Sequence, residues 1–331
     1  MVRALVLGAT GHIGSHIVRA LLTERHQVRA AYRTDRFLHV IEGLPVERVR
    51  VDLDTLEGFR EALDGCDWIF HAAGYYPRLR GHRQQAIERG IASTHRVLEQ
   101  LLKARPSRVV FTSSAATIRH IYGRLANEDD AEPWPLTEPR ALYPSVKIAM
   151  EQEALRACRE GLPVVIVNPS VCLGEYDAHA FSGQAILAFA KHRLPFYIDH
   201  VFNAVYTGDV GVGHLRAAER GRLGERYLLT GWTITVKEFA ALVAAKAGVS
   251  PPRWCLPYPL MWAAAGATEG AAWLARSEPW LSRRAVHSLR AGQRLDGTKA
   301  VRELGMSQTP IEQAIERALE WFRQRGFLKR Q

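Results

Sequence analysis

Several features that would place this chain in a special class are scarce or missing. Its 331 residues include only four cysteines, at positions 66, 158, 172 and 255, and no Cys-x-x-Cys pair. Scattered cysteines are typical of free thiols in a reducing compartment. No signal-peptide core precedes the first apolar run, and the longest apolar segment, 258–275, contains Glu269 and falls short of a membrane span. We therefore expect a soluble, cytoplasmic protein.

The sequence also has no concentrated block of positive charge, although its formal net charge is +10. The arginines are dispersed, without a basic run or a recognition motif, so we expect no nucleic-acid partner. An anionic cofactor or nucleotide-sugar substrate explains part of the excess. His12 and His16 have the i, i+4 spacing of metal ligands, but no third ligand or HExxH motif accompanies them, and we expect no metal.

The opening of the chain carries its most informative pattern. Val2 to Leu7 is an apolar run that predicts a buried strand, and an apolar-periodic segment that predicts a helix follows it. Gly8, Gly11 and Gly14 lie between them. In a dinucleotide-binding turn, the first glycine permits the sharp bend, the second admits the pyrophosphate, and the third lets the helix pack closely. We expect phosphate contacts from this turn and the helix start, at Gly8, Thr10, Gly11, His12, Ile13 and Gly14.

Short apolar strands and periodic helical segments then alternate along the chain. This alternation predicts an α/β fold, a doubly wound parallel (Rossmann) sheet with a smaller, mostly helical C-terminal substrate-binding region. We assign residues 1–167 and 203–232 to the dinucleotide-binding domain and residues 168–202 and 233–331 to the substrate-binding region. Helices are expected at 55–63, 91–104, 179–192, 210–220, 236–247 and 310–322.

The end of the second predicted strand, Gln27 to Tyr32, bears on cofactor choice. An acid at this place would bind the adenosine ribose 2′-hydroxyl of NAD, whereas a cation would accept the 2′-phosphate of NADP. Arg33 and Arg36 favour NADP, while Asp35 between them keeps NAD possible.

Two further strand ends are candidates for cofactor contacts. After the third strand, Asp52 and Leu53 are placed to meet the adenine, while Asp54 is alternatively the N-cap of the next helix. The fourth strand ends at His71, with Ala72 and Ala73 leaving room for a cofactor. Tyr75 and Tyr76 follow, as substrate-pocket residues or as ordinary packing aromatics.

The candidate chemistry lies in Tyr143-Pro-Ser-Val-Lys147, at the start of a predicted helix. Positions i and i+4 face the same way on a helix, so an ammonium near the phenol would lower the pKa of Tyr143 and make it a general acid or base. A serine ending the fifth strand can hold the substrate oxygen. Ser113 and Ser114 point to opposite faces if the strand continues, and we choose Ser114.

These motifs together resemble the extended short-chain dehydrogenase/reductase superfamily. The matching motifs are Gly8-x-x-Gly11-x-x-Gly14, His71-Ala-Ala, Thr112-Ser-Ser and Tyr143-x-x-x-Lys147. Within it, the chain is similar to the branch of dihydroflavonol 4-reductase and the hopanoid-associated sugar epimerases, in the NAD-dependent epimerase/dehydratase family. The resemblance implies a Ser114–Tyr143–Lys147 triad, with Lys147 on the nicotinamide ribose and Arg33 on the 2′-phosphate.

The resemblance also implies further site residues and a homodimer. Thr112, Pro169 and Val171 are expected to line the cofactor, and Phe202 and Asn203 the substrate. The dimer would form through the helices around Tyr143 and Ile91. Asp209 is expected as an N-cap, and Thr235 with Glu238 as a capping box. Four tryptophans in 251–284 (Trp254, Trp262, Trp273 and Trp280) suit core and lid packing, or an apolar cover for a large substrate.

Three functions fit these expectations. The first is NADP-dependent reduction of a carbonyl compound, with Tyr143 as acid/base. The second is nucleotide-sugar epimerisation with transiently used NAD(P), and the third is a non-catalytic NADP-binding sensor. No carboxylate follows Ser114 in Ala115-Ala116-Thr117, which argues against a dehydratase.

Overall fold

A seven-stranded parallel sheet forms the centre of the protein, as the alternating pattern predicts. The computed structural model describes residues 1–77, 83–136, 141–180, 182–192, 194–275, 283, 286 and 292–328. The strands within these ranges are β1 Arg3–Leu7, β2 Gln27–Tyr32, β3 Glu47–Arg50, β4 Trp68–His71, β5 Arg108–Thr112, β6 Val164–Pro169, β7 Val171–Leu173, β8 Phe196–Ile198, β9 Val201–Tyr206, β10 Arg226–Leu229, β11 Trp232–Thr235 and β12 Trp254–Leu256.

The strand order of the large sheet is β10-β6-β5-β4-β1-β2-β3. The order reverses between β1 and β4, which pair directly, with Leu7 opposite His71. In a doubly wound sheet, the crevice at this switch point receives the ligand. The predicted Rossmann fold is therefore confirmed, and it brings the glycine turn after β1 next to the end of β4.

Helices cover both faces of this sheet. Those of the described residues are α1 His12–Thr23, α2 Phe59–Leu63, α3 Arg83–Ala104, α4 Leu142–Arg159, α5 Gly183–Ala190, α6 Thr207–Arg220, α7 Val236–Ala247, α8 Tyr258–Leu274, α9 Thr298–Leu304 and α10 Ile311–Gln324. Helices α1 and α6 share one core with Val6 and Phe70, while α3 and α4 share another with Leu7 and Phe111. Each fully buried Leu, Ile, Val or Phe side chain contributes about 1.5–3 kcal/mol to this packing.

Two smaller sheets lie beyond β6. One has the order β11-β9-β7, and the other pairs β12 with β8. A third core joins the first of them to α5, α7 and α10, with Phe239 and Phe322 among its buried side chains. In the part of the chain that the structure describes, no helix is both long and apolar enough to cross a bilayer.

Several predicted helix boundaries were wrong. Helix α3 begins at Arg83, not at Ile91, whereas α5 covers only the middle of the predicted 179–192 segment. The helix predicted at 55–63 starts at Phe59, because Gly58 before it has a left-handed backbone conformation that cannot continue a helix. Asp54 therefore does not cap this helix. Asp209 lies inside α6 and instead accepts hydrogen bonds from Ser307 and Thr309.

Other local predictions were confirmed. Thr235 and Glu238 form the predicted capping box at the start of α7. The tryptophans differ: Trp254 lies on β12 and is 73% exposed, and Trp262 lies on α8 and is 38% exposed, so the core packing expected of them was wrong for both. Trp280 falls outside the described residues.

Candidate active site

The glycine turn after β1 is shaped by close backbone approach. Gly8 has a φ of +80°, where side chains are rarely accommodated, and a Cβ there would meet the backbone of Ala73 at 3.0 Å. A Cβ on Gly14 would lie 2.1 Å from the carbonyl oxygen of Gly8, so only glycine lets α1 start this close to the turn. These contacts place the turn at Gly8 against Ala72 and Ala73 after β4, and the start of α1 against the turn.

The first turn of α1 presents free hydrogen-bonding capacity. Gly11 is the N-cap, no side chain caps the helix, and the first turn contains no acidic residue. The first amides of a helix have no partner within the helix, and they carry the positive end of its dipole. The turn thus has the chemistry of a phosphate site.

Helix α4 carries the predicted catalytic pair. It begins at Leu142, so Tyr143 and Pro144 lie in its first turn, where proline is tolerated because that amide has no helical partner. Tyr143 and Lys147 share one face of the helix. The hydroxyls of Ser114 and Tyr76 hydrogen-bond the Tyr143 phenol. We call Tyr76, Ser114, Tyr143 and Lys147 the phenol cluster.

A second polar group lies one turn further along α4, around Glu151, whose side chain is only 2% exposed. Its carboxylate accepts hydrogen bonds from Ser113, Thr117 at 3.1 Å, Asn168 at 2.7 Å and Arg226 at 2.5 Å. These donors come from β6, from β10, from the 3₁₀ turn Ala115–Thr117, and from Ser113 directly after β5. We call Glu151 and its four donors the carboxylate cluster.

The two adjacent serines are thus divided between the two clusters. Ser113 points to Glu151, whereas Ser114 points to Tyr143. Strand β5 ends at Thr112, and Ser114, still in extended conformation, accepts a hydrogen bond from the amide of Ala116. The geometry therefore brings Ser114, Tyr143 and Lys147 together.

The pKa of Tyr143 differs from the sequence expectation. Burial raises it above its usual value, and the hydrogen bonds from Ser114 and Tyr76 only partly oppose that rise. The predicted lowering of this pKa by Lys147 was wrong, because desolvation dominates and Lys147 is not among the groups that act on it. The side chain of Lys147 is itself buried, and burial lowers its pKa to about 8 against the opposing attraction of Glu151. The phenol of the free protein is consequently a proton donor rather than a ready base.

His71 lies at the carboxyl end of β4 beside this group. Burial, together with a smaller effect of the Lys147 charge, lowers its pKa to about 4. Its Nε2 atom is buried and has no hydrogen-bond partner among the residues that the structure describes. Buried polar atoms are rarely left unpaired, so this nitrogen marks a place where a ligand atom would be accommodated.

The two tyrosines after β4 are separated by the structure. Tyr75 packs partly buried against the core beneath α3 and α4. Tyr76 stacks on Tyr143, with ring centroids 5.8 Å apart and planes inclined by 16°. Of the pair, Tyr76 alone joins the phenol cluster.

The residues predicted to choose the cofactor lie on the surface after β2. Arg33 is 69% exposed and lies 4.0 Å from Asp54, and Arg36 packs over the ring of Phe37. Asp52 uses its carboxylate to accept the amides of Asp54 and Thr55, at 2.7 and 3.3 Å, which stabilises the turn after β3. Leu53 packs against the nearby core.

Three other predicted site residues use their side chains in local structure. Thr112 is buried, and its hydroxyl pairs with His214 of α6 at 2.8 Å. Asn203 bonds the backbone of Gly231 and the hydroxyl of Thr233, holding β9 to β11. Phe202 packs edge-on against Phe239 in the C-terminal core. The structure does not bring these side chains into the phenol cluster.

The segment after β6 lies close to the phenol. Pro169 ends β6, and Val171 is exposed at the start of β7. Cys172 is buried, and its electrostatic effect reaches Tyr143. Cys172 is not among the predicted site residues, and no motif singles it out. Glu151 was missed as well, although its position, four residues after Lys147, is a readable signal.

The histidines of α1 make protein contacts. His12 pairs with the hydroxyl of Thr207 at 2.9 Å, and His16 with the carbonyl oxygen of Glu175 at 3.2 Å. Burial lowers the pKa of both. Among the residues described by the structure, no group of three or more metal-ligating side chains is placed to hold an ion.

Comparison with known proteins agrees with this geometry. The model of the NAD dependent epimerase/dehydratase family matches residues 4–229, which include the glycine turn, Ser114 and the Tyr143–Lys147 pair. The chain belongs to this family. The resemblance inferred from the motifs is confirmed, and the protein is an NAD(P)-dependent enzyme of this type.

Relatives of this family member include both reductases and epimerases by name. It is 32% identical over 329 residues to sterol demethylase protein B of Methylococcus capsulatus, covering 98% of this chain and 99% of the relative. It is 32% identical over 332 residues to a putative dihydroflavonol 4-reductase of Synechocystis, covering 98% and 96%. A solved nucleoside-diphosphate-sugar epimerase from Pseudomonas aeruginosa superposes with a TM-score of 0.83 at 28% identity, covering 99% of both chains.

Proposed function

We propose that this family member is an NADP-dependent reductase that reduces a carbonyl group, with Tyr143 as the proton donor. The observation that carries the proposal is the buried Tyr143 phenol, hydrogen-bonded by Ser114 and held protonated by burial. Carbonyl reduction needs an acid at the substrate oxygen. An epimerase starts instead by removing a proton from a hydroxyl, for which a raised phenol pKa is unfavourable.

The residues present fit a nicotinamide dinucleotide. The uncapped start of α1 suits its phosphates, and the close packing of Gly8 and Gly14 leaves the turn free of side chains. Lys147, 3% exposed and adjacent to Gly74, is placed to bond the ribose hydroxyls. When bound, the cofactor supplies the hydride.

The protein's own contribution is to place the substrate oxygen and protonate it. Ser114 and Tyr143 present two hydroxyls to one position, so a carbonyl oxygen there receives two hydrogen bonds that strengthen as negative charge develops. Tyr143 then transfers its proton to that oxygen. Lys147, protonated below a pH of about 8, stabilises the resulting phenolate.

We propose an apolar, ring-containing carbonyl compound as the substrate class. The chain's relatives of 32% identity carry the names sterol demethylase protein B and dihydroflavonol 4-reductase. Stacked Tyr76 and Tyr143 provide an aromatic surface next to the reacting position.

The alternative function, epimerisation of a nucleotide sugar, is supported by the similarity to the Pseudomonas epimerase. The two activities differ in stoichiometry. A reductase consumes one NADPH per product, whereas an epimerase leaves the amount of reduced cofactor unchanged. We therefore expect cyclic ketones, but not nucleotide sugars, to oxidise NADPH in a turnover screen.

Changing Tyr143 to Phe tests the role of the phenol directly. We expect turnover to fall by at least about 100-fold, the scale of acid–base catalysis, because the variant has no proton to donate. NADPH binding, followed by fluorescence titration, should stay within about threefold. Turnover that survives in Tyr143→Phe would contradict the proposal. A chain that binds NADPH but turns over none of the tested compounds would favour the sensor alternative.

We propose NADP rather than NAD because Arg33, exposed after β2, is free to turn from Asp54 toward a 2′-phosphate. The dissociation constant for NADPH should be at least tenfold below that for NADH. Arg33→Ser should remove about tenfold of that preference, while Arg48→Ser, on neighbouring β3, serves as a charge-matched control. A preference for NADH in the unaltered protein would contradict the assignment.

A further inference from the structure

Residues 175–180, which follow β7, lie against helix α1. The carbonyl oxygen of Glu175 pairs with Nε2 of His16 at 3.2 Å, and the guanidinium of Arg19 lies 3.6 Å from the ring centroid of Tyr176. The rings of His16 and Tyr176 also meet edge-on, with centroids 5.4 Å apart. These contacts hold the segment against the helix whose first turn suits the phosphates of a dinucleotide.

His179 extends from this segment to the residues after β2. Its ring packs on that of Phe37, with centroids 4.0 Å apart and planes inclined by 43°. Phe37 belongs to the 3₁₀ helix Asp35–Val40, and the guanidinium of Arg36 lies 5.1 Å from the same ring centroid. His179 is exposed. A histidine from beyond β7 thus lies beside the arginines that were predicted to favour NADP, and it is accessible to a ligand.

The surroundings of His179 disfavour its protonated form in the free protein. Burial lowers its pKa, the carboxylate of Asp177 opposes that effect, and the positive charges of Arg36 and Arg33 lower the pKa as well. The other titratable groups on the segments that meet here are Asp35, His39, Asp54 and Glu175. A doubly negative phosphate beside the two arginines would reverse the balance, because a nearby opposite charge favours the protonated imidazole.

We propose that His179 binds the 2′-phosphate of NADP together with Arg33 and Arg36, as a specificity-determining residue that is protonated when the cofactor binds. The imidazolium then donates an N–H to a phosphate oxygen and adds a third positive charge, and such a charge-assisted hydrogen bond is stronger than a neutral one. NADH has a hydroxyl group in place of this phosphate and leaves the imidazole neutral. This role rests on the proposed preference for NADP.

The test is His179→Asn, which keeps a polar side chain and removes the titratable group. Fluorescence titration without substrate gives the dissociation constants for NADPH and NADH. At about pH 6.5, NADPH should bind about tenfold more weakly, the loss of a hydrogen bond between charged groups, and NADH within about twofold. The NADPH deficit should shrink as the pH is raised to about 9, because the imidazole of the unaltered protein then loses its proton.

Proton uptake is a second measurement, which a purely structural role of His179 would not change. Adenosine 2′,5′-bisphosphate carries the 2′-phosphate without the nicotinamide, and calorimetry in two buffers of different ionisation enthalpy counts the protons taken up with it. At about pH 7, the unaltered protein should take up at least about half a proton more than His179→Asn. His179→Lys, which stays charged, should keep the NADPH affinity within about threefold but lose this uptake.

His39→Asn is the matched control, since its ring lies on the same 3₁₀ helix, 6.5 Å from that of Phe37, and it should change neither affinity nor proton uptake. NADPH affinity and proton uptake of His179→Asn equal to those of the unaltered protein would overturn the role of His179. An equal loss for NADPH and NADH would also overturn it, because the side chain would then act on a part that both cofactors share. A preference of the unaltered protein for NADH would overturn the choice of NADP itself, which separates the two failures.

Discussion

The phenol cluster and the carboxylate cluster lie along the same face of α4 but use their hydrogen bonds in opposite ways. Glu151 receives four donors and is closed off from solvent. Tyr143, two turns before it, is contacted by two hydroxyls, one of which belongs to the half-exposed Tyr76. The hydrogen bonds of Glu151 are all made within the protein, whereas a hydroxyl beside Tyr143 can exchange its present hydrogen bond for one to a substrate.

This difference shows how the backbone of a reactive site can be held in place while its hydroxyls stay available to a substrate. The carboxylate cluster ties the ends of three parallel strands to α4, so the backbone around Ser114 is fixed by groups that take no part in chemistry. Preorganised donors of this kind need no reorganisation when charge develops on the substrate. On α4, Tyr143 and Lys147 thus face the reacting position, and Glu151 one turn further along holds the surrounding backbone in place.

The largest expected effect comes from breaking the saturated cluster. Glu151→Gln removes the buried charge that Arg226 and Asn168 face, and it should lower the free energy of unfolding by about 3 kcal/mol or more, as for other broken buried pairs. Urea unfolding checks this. Glu153→Gln, two residues along α4 and more exposed, is the control and should cost less than about 1 kcal/mol.

Glu151→Gln should also shift the pH dependence of kcat/KM for NADPH. The pKa of Lys147 is lowered to about 8 by burial, and the charge of Glu151 keeps it from falling further. Because protonated Lys147 is the active form, kcat/KM for NADPH should fall above pH 8, and in Glu151→Gln the fall should begin at lower pH. An unchanged alkaline limb in folded Glu151→Gln would show that Glu151 acts only on stability.

Much of this comparison is readable from the sequence. The spacing of Gly8, Gly11 and Gly14 predicts the first turn because each glycine meets a backbone restriction there. The four-residue separation of Tyr143 and Lys147 predicts a shared helix face. The apolar strands predict the doubly wound sheet and its switch point.

The features that could not be predicted from the sequence depend on contacts between segments far apart in the chain. The side chain of Thr112 hydrogen-bonds His214, 102 residues away, and that of Asp209 hydrogen-bonds Ser307 and Thr309. The sequence around Thr112 and Asp209 does not show these distant partners. The pKa of Tyr143 depends on how deeply the assembled fold buries it, which spacing does not encode. The carboxylate cluster combines residues of α4, β6, β10 and the 3₁₀ turn with Ser113, which follows β5.

The adjacent serines provide the most direct test of this division between chemistry and rigidity, through turnover and thermal unfolding of Ser114→Ala and Ser113→Ala measured side by side. We predict that Ser114→Ala loses about 100-fold in kcat, the cost of an oxyanion donor, with an unchanged Tm. Ser113→Ala should keep kcat within about twofold and lose about 2 kcal/mol of stability, the value of a hydrogen bond to a charged group. The reverse pattern, with Ser113→Ala inactive and Ser114→Ala fully active, would contradict the account.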